Sequence, residues 1–323
     1  MKTLVYHEYG SPDVLRCEEV EKPTPKDDEL LIKVRAASIN PLDWRLMRGE
    51  PRLVRVIGKL MGLGGGRPGV DVAGVVEEVG PGATHFKRGD RVFGGCRAAF
   101  SDYVCTRESK IVSIPDNVTF EQAASINVAG LTALQGLRDK ARVKAGETVL
   151  VNGAAGGVGT FAVQIAKQFG AEVTGVCSTG NVELVKSLGA DAVVDYTQQD
   201  FTKLGKHYDV IFDCVGNRSI ADLRRALTPQ GRHIMVGAPH DPKLTGLLFS
   251  LLQALFTSTF SSQKSLPLMA KANKADLQFI GALIAEGKLT PVIDRCYSLS
   301  EGADALRYAE KGHARGKVLI TFG

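Results

Sequence analysis

The period of apolar positions changes near residue 120. Before it, LLIKVRAASI (30–39), VAGVVEEVG (72–80), DRVFG (90–94) and DYVCT (102–106) are short runs of β-branched and apolar residues. They are separated by Gly/Pro turn segments such as GSPD, KPTPKDDE and VGPGATHFKRGD. This rhythm predicts a partly open β-barrel. Beyond it, FEQAASINVAGLTALQGLRDKA carries apolar positions at helical spacing. Strands are then expected over 148–152, 171–177, 192–195, 208–213 and 232–236, with helices near 157–169, 181–188 and 219–227. Such alternation implies a parallel sheet with crossover helices. A helix near 273–287, the run LTPVIDRCYSL, the helix SEGADALRYAEKG and the strand KVLITF follow. This tail has the rhythm of the first part, so the chain is expected to return to it. The predicted division is a β-rich domain over 1–122, completed by 288–323, and an α/β domain over 123–287.

Composition narrows the function classes. The 323 residues suffice for two domains. A formal charge of +5, with Lys and Arg spread along the chain, does not indicate nucleic acid or a membrane surface as partner. Six scattered cysteines without a C-x-x-C pair suit a reducing compartment, taken as the cytoplasm. The start, MKTLVYHEYG, is strand-like and lacks the apolar core of a signal peptide. The apolar stretch 244–260 is interrupted by Ser, Gln and Thr and is too short and polar for a membrane span. The Leu and Phe spacing of 244–263 predicts an amphipathic helix, serving either as packing or as a lid over a lipophilic substrate.

The chemistry is written most plainly in VLVNGAAGGVGTFAVQIAKQFGAEVTGVCS, 149–178. An apolar run breaks into a glycine turn, resumes as a helix, and is followed by a second apolar run. This is the layout of a dinucleotide-binding βαβ unit. Gly153, Gly156 and Gly159 stand three apart, with Gly157 and Val158 between the last two. Small residues let the turn tighten, the backbone N–H groups approach a pyrophosphate, and the helix pack on its strand. The second strand ends Cys177-Ser178-Thr179-Gly180-Asn181. It lacks the carboxylate that pairs with the ribose hydroxyl of NAD, and it offers hydroxyl and amide donors from Ser178, Thr179 and Asn181. NADPH is therefore expected over NADH. Ser178 also suits the N-cap of the next helix. Val215 and Gly237 follow later strands, at the carboxyl ends where ligands bind in such sheets.

Taken in order, AASINPLDW (36–44), PGVDVAGVVEEVG (68–80), GDRVFG (89–94), IPDNVTFEQAA (114–124), VAGLTALQGL (128–137), AAGGVG (154–159), KSLGADAVVDY (186–196), DCVG (213–216), LTPVIDRCYSL (289–299) and HARGKVLI (313–320) span nearly the whole chain. The sequence resembles the medium-chain dehydrogenase/reductase superfamily, in its zinc-independent quinone oxidoreductase-like (enoyl reductase domain) branch. The resemblance implies a GroES-like catalytic domain, a Rossmann domain, NADPH held between them, and a homodimer. It places Asn40, Asp43 and Trp44 near nicotinamide and substrate, Thr132 against the nicotinamide, Tyr196 by the adenosine 2′-phosphate, and Lys317 within reach of the cofactor. The residues also admit plainer roles. Asn40 precedes Pro41 in a turn, where its amide either meets the substrate oxygen or closes the turn. Asp43 anchors backbone or touches substrate, Trp44 packs or walls a pocket, Tyr196 packs at the rim, and Lys317 is solvated or reaches the cofactor. Arg45 stands where many quinone reductases have a tyrosine.

Zinc alcohol dehydrogenases place a cysteine where this chain has Ser38 or Asn40, and Gly-His-Glu where it has Gly69-Val70-Asp71. Val70 cannot ligate a metal, and only Cys96 and Cys105 fall between 90 and 110. Without a Lewis acid, the expected chemistry is hydride transfer to an acceptor that is already electrophilic, a quinone or the C=C of an α,β-unsaturated carbonyl. The alternatives are a nucleotide-binding protein with little turnover and, disfavoured by Val70, a zinc-dependent alcohol dehydrogenase.

Overall fold

The computed structural model describes residues 1–50, 65–237 and 262–323. It divides into two compact units, Met1–Leu131 with Ala272–Gly323, and Thr132–Lys271. The first holds β1 (Lys2–Val5), β2 (Arg16–Glu19), β3 (Glu29–Ser38), α1 (Pro41–Arg48), β4 (Asp71–Val79), β5 (Arg91–Gly95), β6 (Tyr103–Arg107), β7 (Ile111–Ser113) and α2 (Phe120–Ala124). Helix α3 (Asn127–Gln135) contains the boundary. The second holds β8 (Thr148–Asn152), α4 (Gly157–Gln168), β9 (Glu172–Cys177), α5 (Val182–Ser187), β10 (Ala192–Asp195), β11 (Tyr208–Asp213), α6 (Ile220–Arg225), β12 (Leu227–Met235) and β13 (Lys264–Pro267). The chain then returns through α7 (Lys274–Ala285), β14 (Ile293–Ser298), α8 (Gly302–Glu310) and β15 (Lys317–Thr321). Most of the apolar run 244–263, up to residue 261, lies outside the described residues.

Strand β3 is the hub of the first unit. The sheet order is β14-β15-β3-β4-β5-β7, and β6 pairs with the other end of β3. Leu30, Ile32 and Val34 of β3 share a core with Val72, Val76, Val92, Phe100, Ile111, Leu306 and Val318. The β3–β4 pairing shifts register twice, between Leu31 and Ile32 and between Val34 and Ala36. Bulges of this kind bend a strand and increase its twist, which curls the sheet toward a barrel. The returning strand β15 runs antiparallel to β3 with Leu319 opposite Ser38. That register sets position 317 opposite the residues that follow β3. The return begins at Ala272, earlier than the sequence rhythm suggests. Helix α7, read from the sequence as part of the α/β domain, belongs to the first unit. Its Ile280 approaches Gly130 and its Gly281 lies against Phe93 and Pro115.

The second unit is a parallel sheet in the order β10-β9-β8-β11-β12-β13. Strands β8 and β11 are wholly buried at Val149, Leu150, Val151, Val210, Ile211 and Phe212. Their near-continuous apolar runs are those of strands covered on both faces. The order reverses between β8 and β11, the switch point at which such sheets bind ligands.

Gly74 of β4 faces β3 so closely that a Cβ there would sit on the backbone carbonyl of Lys33. Backbone cannot swing aside as a flexible side chain does. Gly74→Ala is expected to lower stability by about 2–3 kcal/mol, read from the urea midpoint of the full chain.

Candidate active site

Where β3, β4, β15 and α3 meet, the first unit buries a cluster of polar side chains. Ser38, Asn40, Asp43, Asp71, Asn127 and Lys317 are each less than a tenth exposed. Asp71 Oδ2 accepts hydrogen bonds from Ser38 Oγ (2.6 Å) and Asn40 Nδ2 (2.9 Å). Its Oδ1 accepts from Asn127 Nδ2 (2.9 Å) and the Val128 N–H (3.2 Å). Lys317 Nζ stands 3.6 Å from Asp71 Oδ2 and donates to Asn40 Oδ1 (2.7 Å) and the Ile39 carbonyl (3.2 Å). A lysine ammonium has three hydrogens, and three acceptors surround this one. Burial pushes the Lys317 pKa down, while the charges of Asp71 and Asp43 oppose that shift. Lys317 is thus neither solvated nor free to reach a ligand. The β15–β3 register places it inside the unit.

Asn40 is spent in the same way. Its oxygen accepts from Lys317, and its two amide hydrogens go to Asp71 and to the Ser38 carbonyl at 3.2 Å. No hydrogen remains for a substrate oxygen. Asp43 anchors backbone: Oδ2 accepts the Asn40 N–H (2.7 Å) and Oδ1 the Gly69 N–H (2.9 Å). The first bond caps α1, and the second ties α1 to the segment entering β4. Burial pushes the Asp43 carboxyl up to about 7, helped by the charge on Asp71 and opposed by the two backbone N–H groups and Lys317. Trp44 belongs to the apolar core of the unit, with the Arg45 guanidinium 5.2 Å from its ring centroid. Cys96, buried beside Asp71 and Asp43, is held as a neutral thiol by burial. Among the described residues no group of three or more His, Cys, Asp or Glu is placed to hold a metal ion.

In the second unit the glycines lie at the carboxyl end of β8. Gly153 has φ +82°, and a Cβ there would stand 2.8 Å from Val215 Cγ2. A Cβ on Gly159 would fall on the Gly153 carbonyl, so only glycine lets α4 pack this close to its turn. A Cβ on Gly156 would meet only the Gly153 carbonyl, at 3.4 Å, and otherwise open space. The first N–H groups of α4, from Gly157, Val158 and Gly159, have no partner within the helix. An open glycine turn under a helix N-terminus fits the pyrophosphate of a dinucleotide. Across the switch point Asp213 Oδ1 accepts Asn152 Nδ2 (2.8 Å) and the N–H groups of Val215 (3.0 Å) and Gly216 (2.9 Å). This bonding fixes the turn beside the glycines. Gly237 N–H donates to the Asp213 carbonyl, and a Cβ on Gly237 would fall on the Cys214 carbonyl. Thr132 is half-buried in α3.

At the end of β9, Asn181 Nδ2 donates to Ser178 Oγ at 3.1 Å. The loop itself carries no carboxylate, as its sequence shows, but the neighbouring strand brings one to it. Asp195, the last residue of β10, pairs in register with Cys177 and accepts a hydrogen bond from Thr179 Oγ1 at 2.5 Å. Tyr196, half-exposed, follows it and donates its N–H to the Cys177 carbonyl. Ser38 and Asp71, met in the sequence only at the positions of absent zinc ligands, are joined in these networks by Asn127, Asn152 and Asp213, whose roles no sequence motif marks. For Asp71 a signal exists: a carboxylate heads an apolar run, in the segment aligned with Gly-His-Glu.

Residues 26–116 match the alcohol dehydrogenase GroES-like domain family and residues 188–320 the zinc-binding dehydrogenase family. The chain is 35% identical to a chloroplast envelope quinone oxidoreductase homolog of Arabidopsis thaliana, over 99% of this chain and 98% of that protein. It is 32% identical to an NADPH-dependent alkenal/one oxidoreductase of the same plant, over 99% of this chain and 79% of that one. The solved quinone oxidoreductase of Coxiella burnetii superposes with a TM-score of 0.85 at 31% identity, over 100% of this chain and 99% of that one. The chain belongs to the medium-chain dehydrogenase/reductase superfamily, in its quinone oxidoreductase-like branch. It is an oxidoreductase of a pyridine-nucleotide-dependent family.

Two outcomes follow for the first unit. Lys317→Met strands the Asp71 carboxylate and should cost about 3–5 kcal/mol, while Lys317→Met with Asp71→Asn should recover most of it; urea unfolding of the two variants beside wild type decides. Asp43 keeps its proton to about pH 7 when folded, against an ordinary value of 3.8. Between these values the folded state binds more protons, so the stability Asp43 contributes is full at low pH and lost as pH rises toward neutral. The slope is at most about 1.4 kcal/mol per pH unit. Asp43→Asn should be less stable than wild type and lack that slope, as measured by urea unfolding at pH values across the window.

Proposed function

We propose that this protein uses NADPH to reduce a quinone or the activated C=C bond of an α,β-unsaturated carbonyl, without a metal ion. The bound nicotinamide supplies the hydride. The glycine turn Gly153–Gly159, under the N-terminus of α4, would hold the pyrophosphate, and the Asp213-fixed turn at Val215 and Gly216 shapes the neighbouring edge. The observation that carries the metal-free part is the fate of Asp71. Its oxygens are filled by four hydrogen bonds, and an ammonium already stands beside it. At the positions that zinc relatives use as ligands, Ser38 and Asn40 here hydrogen-bond to Asp71, and Lys317 stands beside that carboxylate. A buried cation held by two internal hydrogen bonds and a neighbouring carboxylate is not presented to a substrate carbonyl. This supports an acceptor that spreads the incoming negative charge over its own π system. The relatives named for quinones and for alkenals or enones support both acceptor classes. Six free thiols support a reducing compartment, which we take to be the cytoplasm. No described helix is long and apolar enough to cross a membrane.

The test follows nicotinamide absorbance with benzoquinone, phenanthrenequinone, a short enone and a long alkenal, each with NADH as control. Saturable turnover on at least one acceptor is expected. Gly159→Ala, which forces α4 away from its turn, should weaken nucleotide binding by about tenfold or more. Nucleotide binding without turnover on any acceptor would contradict the proposed activity.

A further inference from the structure

Strand β12 carries His233 into the interior of the second unit, where it is 3% exposed. Its register partners are Ile211 on β11 and Ser265 on β13. Asp213, two residues beyond Ile211, lies on the same face of β11 and is also buried. His233 Nε2 stands 3.5 Å from Asp213 Oδ2, and Nδ1 stands 3.4 Å from Ser265 Oγ. An ionised carboxylate has no hydrogen to offer, so the ring hydrogen belongs on Nε2, and Nδ1 accepts from the serine hydroxyl. Nε2 makes no hydrogen bond to any other described residue. An aliphatic side chain would suit so buried a strand position better for packing alone. What the imidazole adds is a polar hydrogen beside one oxygen of that carboxylate.

The same carboxylate joins the strand ends at the switch point. Its Oδ1 accepts Asn152 Nδ2 from the end of β8 and the N–H groups of Val215 and Gly216. Its backbone carbonyl accepts the N–H groups of Val236 (3.0 Å) and Gly237 (2.9 Å), just beyond β12. Among the described residues no Lys or Arg pairs with Asp213, and the His233 ring is the group that faces Oδ2. Burial raises the Asp213 carboxyl, but the His233 ring and the Gly216 and Val215 N–H groups outweigh it and hold the carboxyl below the usual range. In so dry a place a contact of this length still counts. Without the ring the buried charge is left uncompensated at Oδ2, and a proton taken up there would disturb the donors gathered on Oδ1.

We propose that His233 is a positioning residue for nucleotide binding: through Asp213 it holds the end of β8 and the Val215–Gly216 turn in the shape that receives the coenzyme. The proposal rests on the reading that a nicotinamide nucleotide binds at this switch point. At its depth His233 acts only through Asp213. Its two nitrogens can be tested apart. His233→Gln keeps an amide donor at the level of Nε2, beside Asp213. His233→Asn keeps one at the level of Nδ1, beside Ser265, and leaves Asp213 alone.

Calorimetric titration of the full chain with NADPH reads the effect without turnover. His233→Asn should weaken NADPH binding by about tenfold, the size of a lost hydrogen bond to a charged group, and raise KM for NADPH alike. Its kcat at saturating NADPH should stay within about twofold, as for a loss confined to binding. His233→Gln should bind NADPH within about threefold of wild type. In an Asp213→Asn background, adding His233→Asn should change the affinity by less than about twofold, because the ring acts through the carboxylate. Heteronuclear NMR of histidine-labelled wild type, with the His233 signal identified by its loss in His233→Gln, should show the hydrogen on Nε2; this reading stands even where His233→Asn fails to fold. Unchanged NADPH affinity in His233→Asn, equal weakening by Asn and Gln, a full loss that persists in the Asp213→Asn background, or a bare Nε2 each overturns the proposal while leaving the nucleotide reading intact. Failure of wild type to bind NADPH overturns both.

Discussion

An ammonium and a carboxylate buried side by side constrain the first unit. Taking either ion out of water costs several kcal/mol, and their mutual attraction offsets this only when the remaining hydrogen-bonding capacity is also met. Here it is met from four elements: Ser38 on β3, Asn40 at the start of α1, Asn127 on α3 and Lys317 on β15 all converge on Asp71 at the head of β4. Because no member of the set can shift without stranding a charge, the register of β15 on β3 and the entry angle of α1 are fixed together. Asp43 extends the network by tying α1 to Gly69.

The second unit answers a different demand. On the proposed function it lets backbone come close to a polyanion, which side chains would prevent. The solution is subtractive at Gly153, Gly156 and Gly159, and additive at Asp213, whose one oxygen gathers three donors to hold the adjoining turn. Division of labour follows. The first unit carries a fixed, internally neutralised charge pair and no described metal cluster, while under the proposed function the reducing equivalents come from what the second unit binds. An acceptor that stabilises its own negative charge suits such a protein.

Local features were legible in the sequence. The βαβ unit announces itself because apolar periodicity and glycine spacing are properties of neighbouring residues, and the strand and helix spans of the α/β domain follow them closely. What was not legible depends on register between distant segments. Lys317 reads as a lysine that is solvated or reaches the cofactor until β15 is laid on β3, which buries it opposite Asn40. Asp71 reads as a polar strand end until four elements converge on it. Asp195 was invisible to a rule that inspects only the end of β9, because it arrives from β10 at the same level. Helix α7 has the same amphipathic pattern whichever unit it joins, and only its packing on Phe93 and Gly130 decides.

The central claim is that the cation at the heart of the first unit is Lys317 and that the reaction proceeds without a metal. The direct measurement is reduction of the best acceptor by NADPH before and after exhaustive dialysis against a strong chelator, with zinc content determined on the same samples. The account predicts substoichiometric zinc and unchanged turnover. Stoichiometric zinc, with turnover lost on its removal and restored by adding it back, would contradict it.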